Sequence, residues 1–243
     1  MSQPSSDPIQ PLYQQKLPVL LSQLRGGLIV SCQAETGEPL HGPEHMAAMA
    51  VAAVQGGAAG IRANTPGDIA AIRKAVELPI IGIYKRDIPG YMVRITPTLI
   101  AALQVAEAGA DLIAIDATSR PHPDDLSLNE RIRLIHEQTC SPVMADISTL
   151  DEAFAAQQAS ADLVSTTLSG YTETSPAQEL PDFELLENLV TKLNIPVVAE
   201  GRISTPEQAA QALALGAFAV VVGSAITRPQ WITARFVHRM VNP

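Results

Sequence analysis

Glu200 stands at the end of an otherwise apolar run, in the stretch VVAEGRIST at residues 197 to 205. A carboxylate buried without partners costs several kcal/mol or takes up a proton, so the position favours acid–base chemistry. Lys85 and Asp146 end two other apolar runs in the same way, in PIIGIYKR and PVMADIS. Charged groups of these types could move protons on a ligand, although structural ion pairs are the alternative for any one of them.

These runs belong to a series of eight, which alternate along the chain with alanine-rich stretches of helical periodicity. Caps such as Thr-Pro precede the alanine-rich stretches and glycine often follows them, as helix termini prefer. The alternation predicts parallel strands joined by helical crossovers. The predicted strands lie at residues 26 to 33, 58 to 63, 79 to 86, 111 to 117, 142 to 148, 162 to 169, 196 to 202 and 217 to 224.

A two-unit rhythm runs through the eight strands. The even-numbered strands open with a pair of small residues, and Pro79, Pro142 and Pro196 open three of the odd-numbered ones. Eight units favour a closed (β/α)8 TIM barrel over an open doubly wound sheet, which would usually carry a GxGxxG turn after its first strand. The first predicted strand is not followed by such a turn.

Length and periodicity predict one catalytic domain. The chain has 243 residues, of which 47% are hydrophobic, and barrels of this kind commonly reach that size. We predict a barrel over residues 26–243, preceded in residues 1–25 by an N-terminal tail and a short helix near Leu17 to Leu24.

The net charge and the cysteine content exclude some classes of binding partner and favour one cell compartment. A net charge of -9 argues against binding nucleic acid or an anionic membrane surface. Cys32 and Cys140 form no disulfide framework and no zinc-ligand spacing, which favours a reducing cytoplasm. Cys32 fits a buried structural thiol better than a nucleophile.

No apolar run in the sequence approaches the ~18 residues that a membrane helix needs. The alanine-rich helices, together with Trp231 near the C-terminus, favour a homodimer.

Strand alternation places the polar residues. Side chains an even number of residues apart share one face of a strand, so counting from the strand starts puts several charged side chains on the inner face. All lie at the C-terminal ends of their strands, where barrel active sites occur. They are Arg62, Lys85, Asp116, Asp146 and Glu200.

The last two units predict a phosphate site. Gly201 and Arg202 follow the seventh strand, and Gly223 and Ser224 follow the eighth. Loops at these two places commonly bind phosphate through backbone N–H groups. Arg228 could add a guanidinium contact.

Ten segments, among them LIVSCQA, GGAAGIRA, PIIGIYKRD, MADISTLDEA, VVAEGRISTPEQA and VVVGSAITRP, run in order from Gly26 to about Met240. In them the chain resembles the N-acetylmannosamine-6-phosphate 2-epimerases (N-acylglucosamine-6-phosphate 2-epimerases). The resemblance implies a barrel isomerase that interconverts N-acetylmannosamine 6-phosphate and N-acetylglucosamine 6-phosphate in sialic acid and amino-sugar catabolism. It also implies that neither a metal nor an organic cofactor takes part.

The resemblance further implies roles for six residues. Lys85 and Glu200 match the catalytic pair of the family, and four positions match its substrate contacts: Gln33, Arg62, Asp146 and Arg228. The chain departs from the family after DATSR, where Pro121-His122-Pro123 replaces a second basic residue.

The chemistry fits these residue types. The hydrogen on carbon 2 of the opened sugar lies beside the aldehyde, so a base can remove it and an acid on the opposite face can return one. Whether Lys85 acts directly or through a substrate hydroxyl stays open. A Schiff-base aldolase and a non-catalytic phosphosugar-binding barrel are the two alternatives.

Overall fold

The computed structural model describes residues 9–242, and its eight strands close into a parallel barrel in the order β1 to β8. The strands are β1 Leu28–Cys32, β2 Gly60–Asn64, β3 Ile80–Ile83, β4 Leu112–Asp116, β5 Val143–Asp146, β6 Leu163–Ser165, β7 Val197–Glu200 and β8 Ala219–Val222. The predicted (β/α)8 TIM barrel is therefore confirmed, and each predicted strand overlaps an observed one, although β2 ends at Asn64, one residue beyond the predicted end.

Ten α-helices surround the barrel in the described part of the chain. They are α1 Ile9–Leu24, α2 Pro43–Gln55, α3 Pro66–Ala75, α4 Leu99–Glu107, α5 Leu128–Thr139, α6 Leu150–Gln158, α7 Phe183–Lys192, α8 Pro206–Ala214, α9 Ser224–Thr227 and α10 Pro229–Val241. A 3₁₀ helix at Thr166–Leu168 follows β6 directly. Side-chain oxygens of Ser, Thr or Asp cap α3 to α8, as the sequence predicts at several of these positions.

The strands bury apolar side chains in two layers. Ile81, Leu112 and Met144 point into the barrel, whereas their neighbours Ile80, Ile113 and others pack between the strands and the helices. Alternation along each strand produces this division, because successive side chains lie on opposite faces. It also carries the polar residues at the strand ends into the barrel mouth.

Helix α1 covers the N-terminal end of the barrel. It begins at Ile9, well before the predicted start near Leu17, and Pro18 lies within it. Leu20 and Leu24 pack against the inward-facing apolar side chains, and this burial stabilises the contact between α1 and the barrel. The predicted boundary at residue 25 stays a prediction, and residues 1–8 of the predicted tail lie outside the described residues.

Candidate active site

The C-terminal mouth of the barrel contains a cavity of about 400 Å³. Eight of the ten predicted site residues line it: Gln33, Lys85, Glu200, Gly201, Arg202, Gly223, Ser224 and Arg228. The other two, Arg62 and Asp146, lie beneath it and contact Glu200 or each other. The fold thus brings all ten residues together, and their roles stay predictions.

Arg62 is the centre of a buried charge network. Its side chain is only 1% exposed, and Nη2 donates to Asp146 Oδ2 at 2.5 Å while Nη1 donates to Glu200 Oε2 at 2.8 Å. Burial acts to lower the pKa of Arg62, but the two carboxylates attract the cation and leave its pKa raised. One guanidinium therefore holds residues from β5 and β7 in fixed positions.

Glu200 ends β7 and is 14% exposed. Burial raises its pKa, and the negative charge of Asp146 raises it further. Arg62, a hydrogen bond from Thr167 and the charge of Lys85 act in the opposite direction, but the pKa stays above the ordinary value. A carboxyl in this state can carry a proton closer to neutral pH than an exposed glutamate can.

Lys85 lies two residues beyond the end of β3. Its backbone N–H donates to Asn64 Oδ1 at 2.8 Å, which holds the chain in place after the strand has ended. Burial lowers the pKa of Lys85, and the positive charge of Arg62 lowers it further, although Glu35 and Glu200 act the other way. The lysine is therefore closer to the neutral form that a base requires.

The two titratable groups face one cavity from opposite sides. In the closed ring β3 and β7 are four strands apart, half the circumference. Lys85 and Glu200 both line the cavity between these strands. An amine of lowered pKa and a carboxyl of raised pKa can therefore reach the two faces of one ligand.

Backbone N–H groups line the other side of the cavity. Gly201 and Arg202 have φ angles of 110° and 55°, and glycine accommodates the first without strain. The N–H groups of Gly201, Arg202 and Gly223 make no hydrogen bond to any residue between 9 and 242. All three residues line the cavity, and unpaired backbone donors at such places suit an anionic ligand.

The two predicted arginines at the phosphate site, Arg202 and Arg228, already donate hydrogen bonds to other residues of the protein. Arg228 Nη2 donates to Glu38 Oε2 at 3.0 Å, and the guanidinium keeps further donors. Arg202 donates from Nη1 to the Ser169 carbonyl and from Nε to the Leu180 carbonyl, both at 2.9 Å. Arg202 thus fixes the loop that follows the 3₁₀ helix.

Gln33 leaves one acceptor free. Its Nε2 donates to Ser31 Oγ at 2.7 Å, whereas its buried Oε1 has no hydrogen-bond partner among the described residues. A buried oxygen of this kind is costly unless a ligand or water donates to it. Gln33 lines the cavity, but this oxygen is buried, so the side chain must turn before a ligand can donate to it.

Asp116, His122 and Cys32 have structural contacts in the fold. Asp116 shares the inner face with the other charged residues but pairs with Arg120 Nη2 at 2.8 Å. His122 is buried, and its Nδ1 lies 3.1 Å from the Pro97 carbonyl oxygen. Cys32 is fully buried, and burial raises the pKa of its thiol to about 12, as expected for a structural thiol.

Thr167 was not predicted as a site residue. It lines the cavity, and its hydroxyl lies 2.8 Å from Asp146 Oδ1 and 3.0 Å from Glu200 Oε2. Alternation along the sixth strand places it on the inner face, which is the signal that could have found it. No periodic signal pointed to Glu38, because it lies in a loop.

No group of three His, Cys, Asp or Glu side chains that could hold a metal ion occurs within residues 9–242. None of the helices in that range is long and apolar enough to span a membrane.

Comparison with known proteins agrees with the resemblance. A family described as "Putative N-acetylmannosamine-6-phosphate epimerase" (NanE) matches residues 46–242. A relative from Caldanaerobacter subterraneus subsp. tengcongensis is 55% identical over 219 residues, 90% of this chain and 92% of its own. One from Thermosynechococcus vestitus is 53% identical over 208 residues, 86% and 90% of the two chains. Both are described as "Putative N-acetylmannosamine-6-phosphate 2-epimerase".

A solved structure extends the similarity to three dimensions. The N-acetylmannosamine-6-phosphate 2-epimerase from Clostridium perfringens superposes with a TM-score of 0.88 at 48% identity, covering 90% of this chain and 95% of that one. The chain therefore belongs to the N-acetylmannosamine-6-phosphate epimerase family.

Proposed function

We propose that the protein interconverts N-acetylmannosamine 6-phosphate and N-acetylglucosamine 6-phosphate by removing and returning the proton on carbon 2. The observation that carries this proposal is the placement of Lys85, just after β3, and Glu200, at the end of β7, on opposite sides of one cavity. The lowered pKa of Lys85 and the raised pKa of Glu200 suit a base and an acid that work near neutral pH.

The reaction needs proton transfer on both faces of one carbon. In the opened sugar the carbon 2 hydrogen lies beside the aldehyde, so its removal gives an enolate. Return of a proton to the opposite face inverts the centre, and no electrons leave the substrate. Lys85 serves one face, directly or through a substrate hydroxyl, and Glu200 serves the other. Arg62 holds the Glu200 carboxylate in place while its charge changes.

The remaining cavity residues suit the two ends of the substrate. The free N–H groups of Gly201, Arg202 and Gly223, together with Arg228, bind the phosphate. Ser224, at the start of α9 beside Gly223, belongs to the same site. Gln33 Oε1 accepts a hydrogen bond from a substrate hydroxyl or amide N–H, because it is the buried acceptor that lacks a partner among residues 9–242.

We place the reaction in sialic acid and amino-sugar catabolism in the cytoplasm. The family supports the first assignment, and the second is consistent with two free cysteines, one of them fully buried.

Proton NMR tests the function directly. The purified protein is incubated with N-acetylmannosamine 6-phosphate in deuterated water, and we expect N-acetylglucosamine 6-phosphate that carries deuterium on carbon 2. The unphosphorylated sugar is expected to react with a kcat/KM at least about 100-fold lower, since it forgoes two or more charge-assisted contacts. Binding without turnover would support the non-catalytic alternative, and a borohydride-trapped adduct would support the aldolase.

We further propose that the protein is a homodimer joined through α10. This helix is described in full and none of its residues is buried. Phe236, Val237 and Met240 are 68%, 54% and 78% exposed, far more than apolar side chains on a finished surface usually are. An apolar groove of about 410 Å³, lined by Leu28, Leu213 and others, offers a second apolar surface nearby.

An aspartate on this helix is expected to separate the dimer. A charge at the centre of an apolar interface is left without a partner, so Phe236→Asp should give a particle of half the wild-type mass in light scattering. Ile100→Asp is the matched control, because Ile100 is also exposed, at 66%, but lies on α4. A wild-type protein of 25.8 kDa in solution would contradict the dimer.

A further inference from the structure

Glu200 pairs with Val221 of β8 on one side, but on the β6 side its backbone is not held by a strand. β6 has only three residues, and its register with β7 pairs Val164 with Val197 and Ser165 with Val198. The pairing thus stops two residues before Glu200. The neighbouring segment at this level is the 3₁₀ helix, in which backbone groups turn toward each other and cannot continue the ladder.

Thr166 replaces the missing ladder with its side chain. The N–H of Glu200 donates to Thr166 Oγ1 at 3.0 Å, and Thr166 Oγ1 donates to the Glu200 carbonyl at 2.8 Å. Both main-chain polar groups of Glu200 are therefore satisfied by one hydroxyl. This fixes the Cα of Glu200 but leaves its carboxyl to be oriented separately.

Thr167 contacts that carboxyl. Its Oγ1 lies 3.0 Å from Glu200 Oε2, 2.8 Å from Asp146 Oδ1 and 2.8 Å from Ser165 Oγ. A hydroxyl has one proton and two lone pairs, so it can donate to only one of the two carboxyl groups at a time. Arg62 already gives Asp146 two hydrogen bonds, so Asp146 is satisfied whether or not Thr167 donates to it.

We propose that Thr167 is a positioning residue whose hydroxyl turns between Asp146 and Glu200 as Glu200 loses and gains the substrate proton. The inference rests on the proposed function. When Glu200 is a carboxylate, Thr167 donates to it. When Glu200 is protonated, Thr167 accepts from it and donates to Asp146.

The step balances without any further group. The proton exchanged between Glu200 and carbon 2 is the only one that changes atoms, and the Thr167 proton stays on its own oxygen. In both states Asp146, Glu200 and the Thr167 hydroxyl keep a partner, so the change of protonation leaves neither carboxyl group unpaired. Such a pairing in both states matters in a buried site, where an unpaired group is costly.

Electrostatics supports this reading. Burial raises the pKa of Glu200, whereas the hydrogen bond from Thr167 acts to lower it. Removal of the hydroxyl is therefore expected to raise the pKa of Glu200 further. A residue that only fills space would leave the protonation of Glu200 unchanged.

Kinetics of three variants test the proposal. Thr167→Val keeps the shape but removes the hydroxyl, and we expect kcat to fall roughly 10- to 100-fold, the loss of one hydrogen bond to a charged group. KM should change less than about threefold, because the phosphate contacts are intact. Thr167→Ser should restore kcat to within about threefold. Thr139→Val is the control. It makes the same chemical change at the last residue of α5, at the opposite end of the barrel, where the hydroxyl donates only to the Ile135 carbonyl, so kcat should not change.

The pH profile separates positioning from packing. In a plot of kcat against pH, the part of the curve that reports the titration of Glu200 should shift to higher pH in Thr167→Val. In Thr167→Ser it should lie again at the wild-type pH. A kcat within threefold of wild type, or a lower kcat with the limb unmoved, would overturn the proposal. If the valine variant does not fold, Thr167→Ala removes the same hydroxyl without adding a methyl group.

Infrared spectroscopy gives a readout that needs no turnover. Protein with ¹³C at the glutamate carboxyls is titrated, and Glu200→Gln identifies the band of Glu200. The pH at the midpoint of the titration of that band should be higher in Thr167→Val than in the wild type. An unchanged midpoint would contradict the inference. Wild-type protein without epimerase turnover would instead refute the proposed function, while the titration would still decide the role of Thr167.

Discussion

Replacement of either Lys85 by methionine or Glu200 by glutamine is expected to lower the rate of epimerisation by about 10³-fold, within the range that one general acid or base contributes. Both changes keep the size of the side chain and remove its ability to exchange a proton. Each residue lines the cavity from its own side of the ring, so neither can replace the other. Proton NMR of the sugar phosphates gives both rates.

Deuterium exchange makes this prediction sharper. If each residue serves one face, a variant that keeps one of them can still exchange the carbon 2 hydrogen of one epimer without inverting it. Lys85→Met and Glu200→Gln should then exchange opposite epimers in deuterated water. Binding of sugar phosphate should change little in both, since the phosphate contacts lie elsewhere.

Surface variants provide the controls. Lys192→Met and Glu184→Gln make the same chemical changes on exposed positions of α7 and should keep wild-type rates. Near-normal turnover in Lys85→Met or in Glu200→Gln would refute the two-sided mechanism. Retention of the original hydrogen on carbon 2 throughout the wild-type reaction would refute it as well.

The sequence predicts the barrel well because strand geometry is periodic. Each strand has its side chains on alternating faces, so counting from Pro142 and Pro196 suffices to place Asp146 and Glu200 on the inner face. The structure has both side chains at the mouth, in contact with Arg62. The same count places Asp116 there, but cannot show that Arg120, four residues later, pairs with it.

Contacts between loop residues cannot be predicted by counting residues along a strand. Glu38 and Arg228 are 190 residues apart in the chain, and their ion pair depends on how the loops after β1 and β8 meet. Arg202 lies at the predicted place, yet its guanidinium donates to the carbonyl groups of Ser169 and Leu180. Loop conformations have no repeating period, so residue type alone does not predict these partners.

The start of α1 shows a different limit. The sequence predicts a short helix near Leu17 to Leu24, and such a start would place Pro18 in the first turn, where proline is favoured. The structure continues the helix back to Ile9. Tyr13 and its hydrogen bond to Asp162 lie in this added part, and they hold α1 to the barrel. Tertiary contacts of this kind outweigh the local preference of one proline.

Removal of the Arg62 guanidinium is expected to destabilise the protein by about 3–5 kcal/mol at neutral pH, because it leaves buried carboxylates without their cation. Arg62→Met keeps much of the apolar volume, so the change isolates the charge. Asp146 is fully buried, so water cannot replace its lost partner, and Glu200 is only 14% exposed. The free energy of unfolding in urea measures the effect.

The pH dependence follows from the sign of the pKa shift. The pKa of Glu200 is already raised, mainly by burial, and Arg62 opposes the rise. In Arg62→Met the folded-state pKa therefore rises further above the unfolded value of about 4.3. A raised carboxyl pKa means that the folded state binds more protons, so stability is full below the unfolded pKa and falls as pH rises through the folded pKa.

The variant should consequently lose much less stability at pH 5 than at pH 8. Addition of Asp146→Asn removes one of the two carboxylates and should recover part of the loss at pH 8, because only Glu200 is then left to ionise without a cation. An equal loss at both pH values would mean that Arg62 acts through packing and not through charge. That outcome would also remove the reason to assign Arg62 the task of holding a Glu200 carboxylate whose charge changes in each turnover.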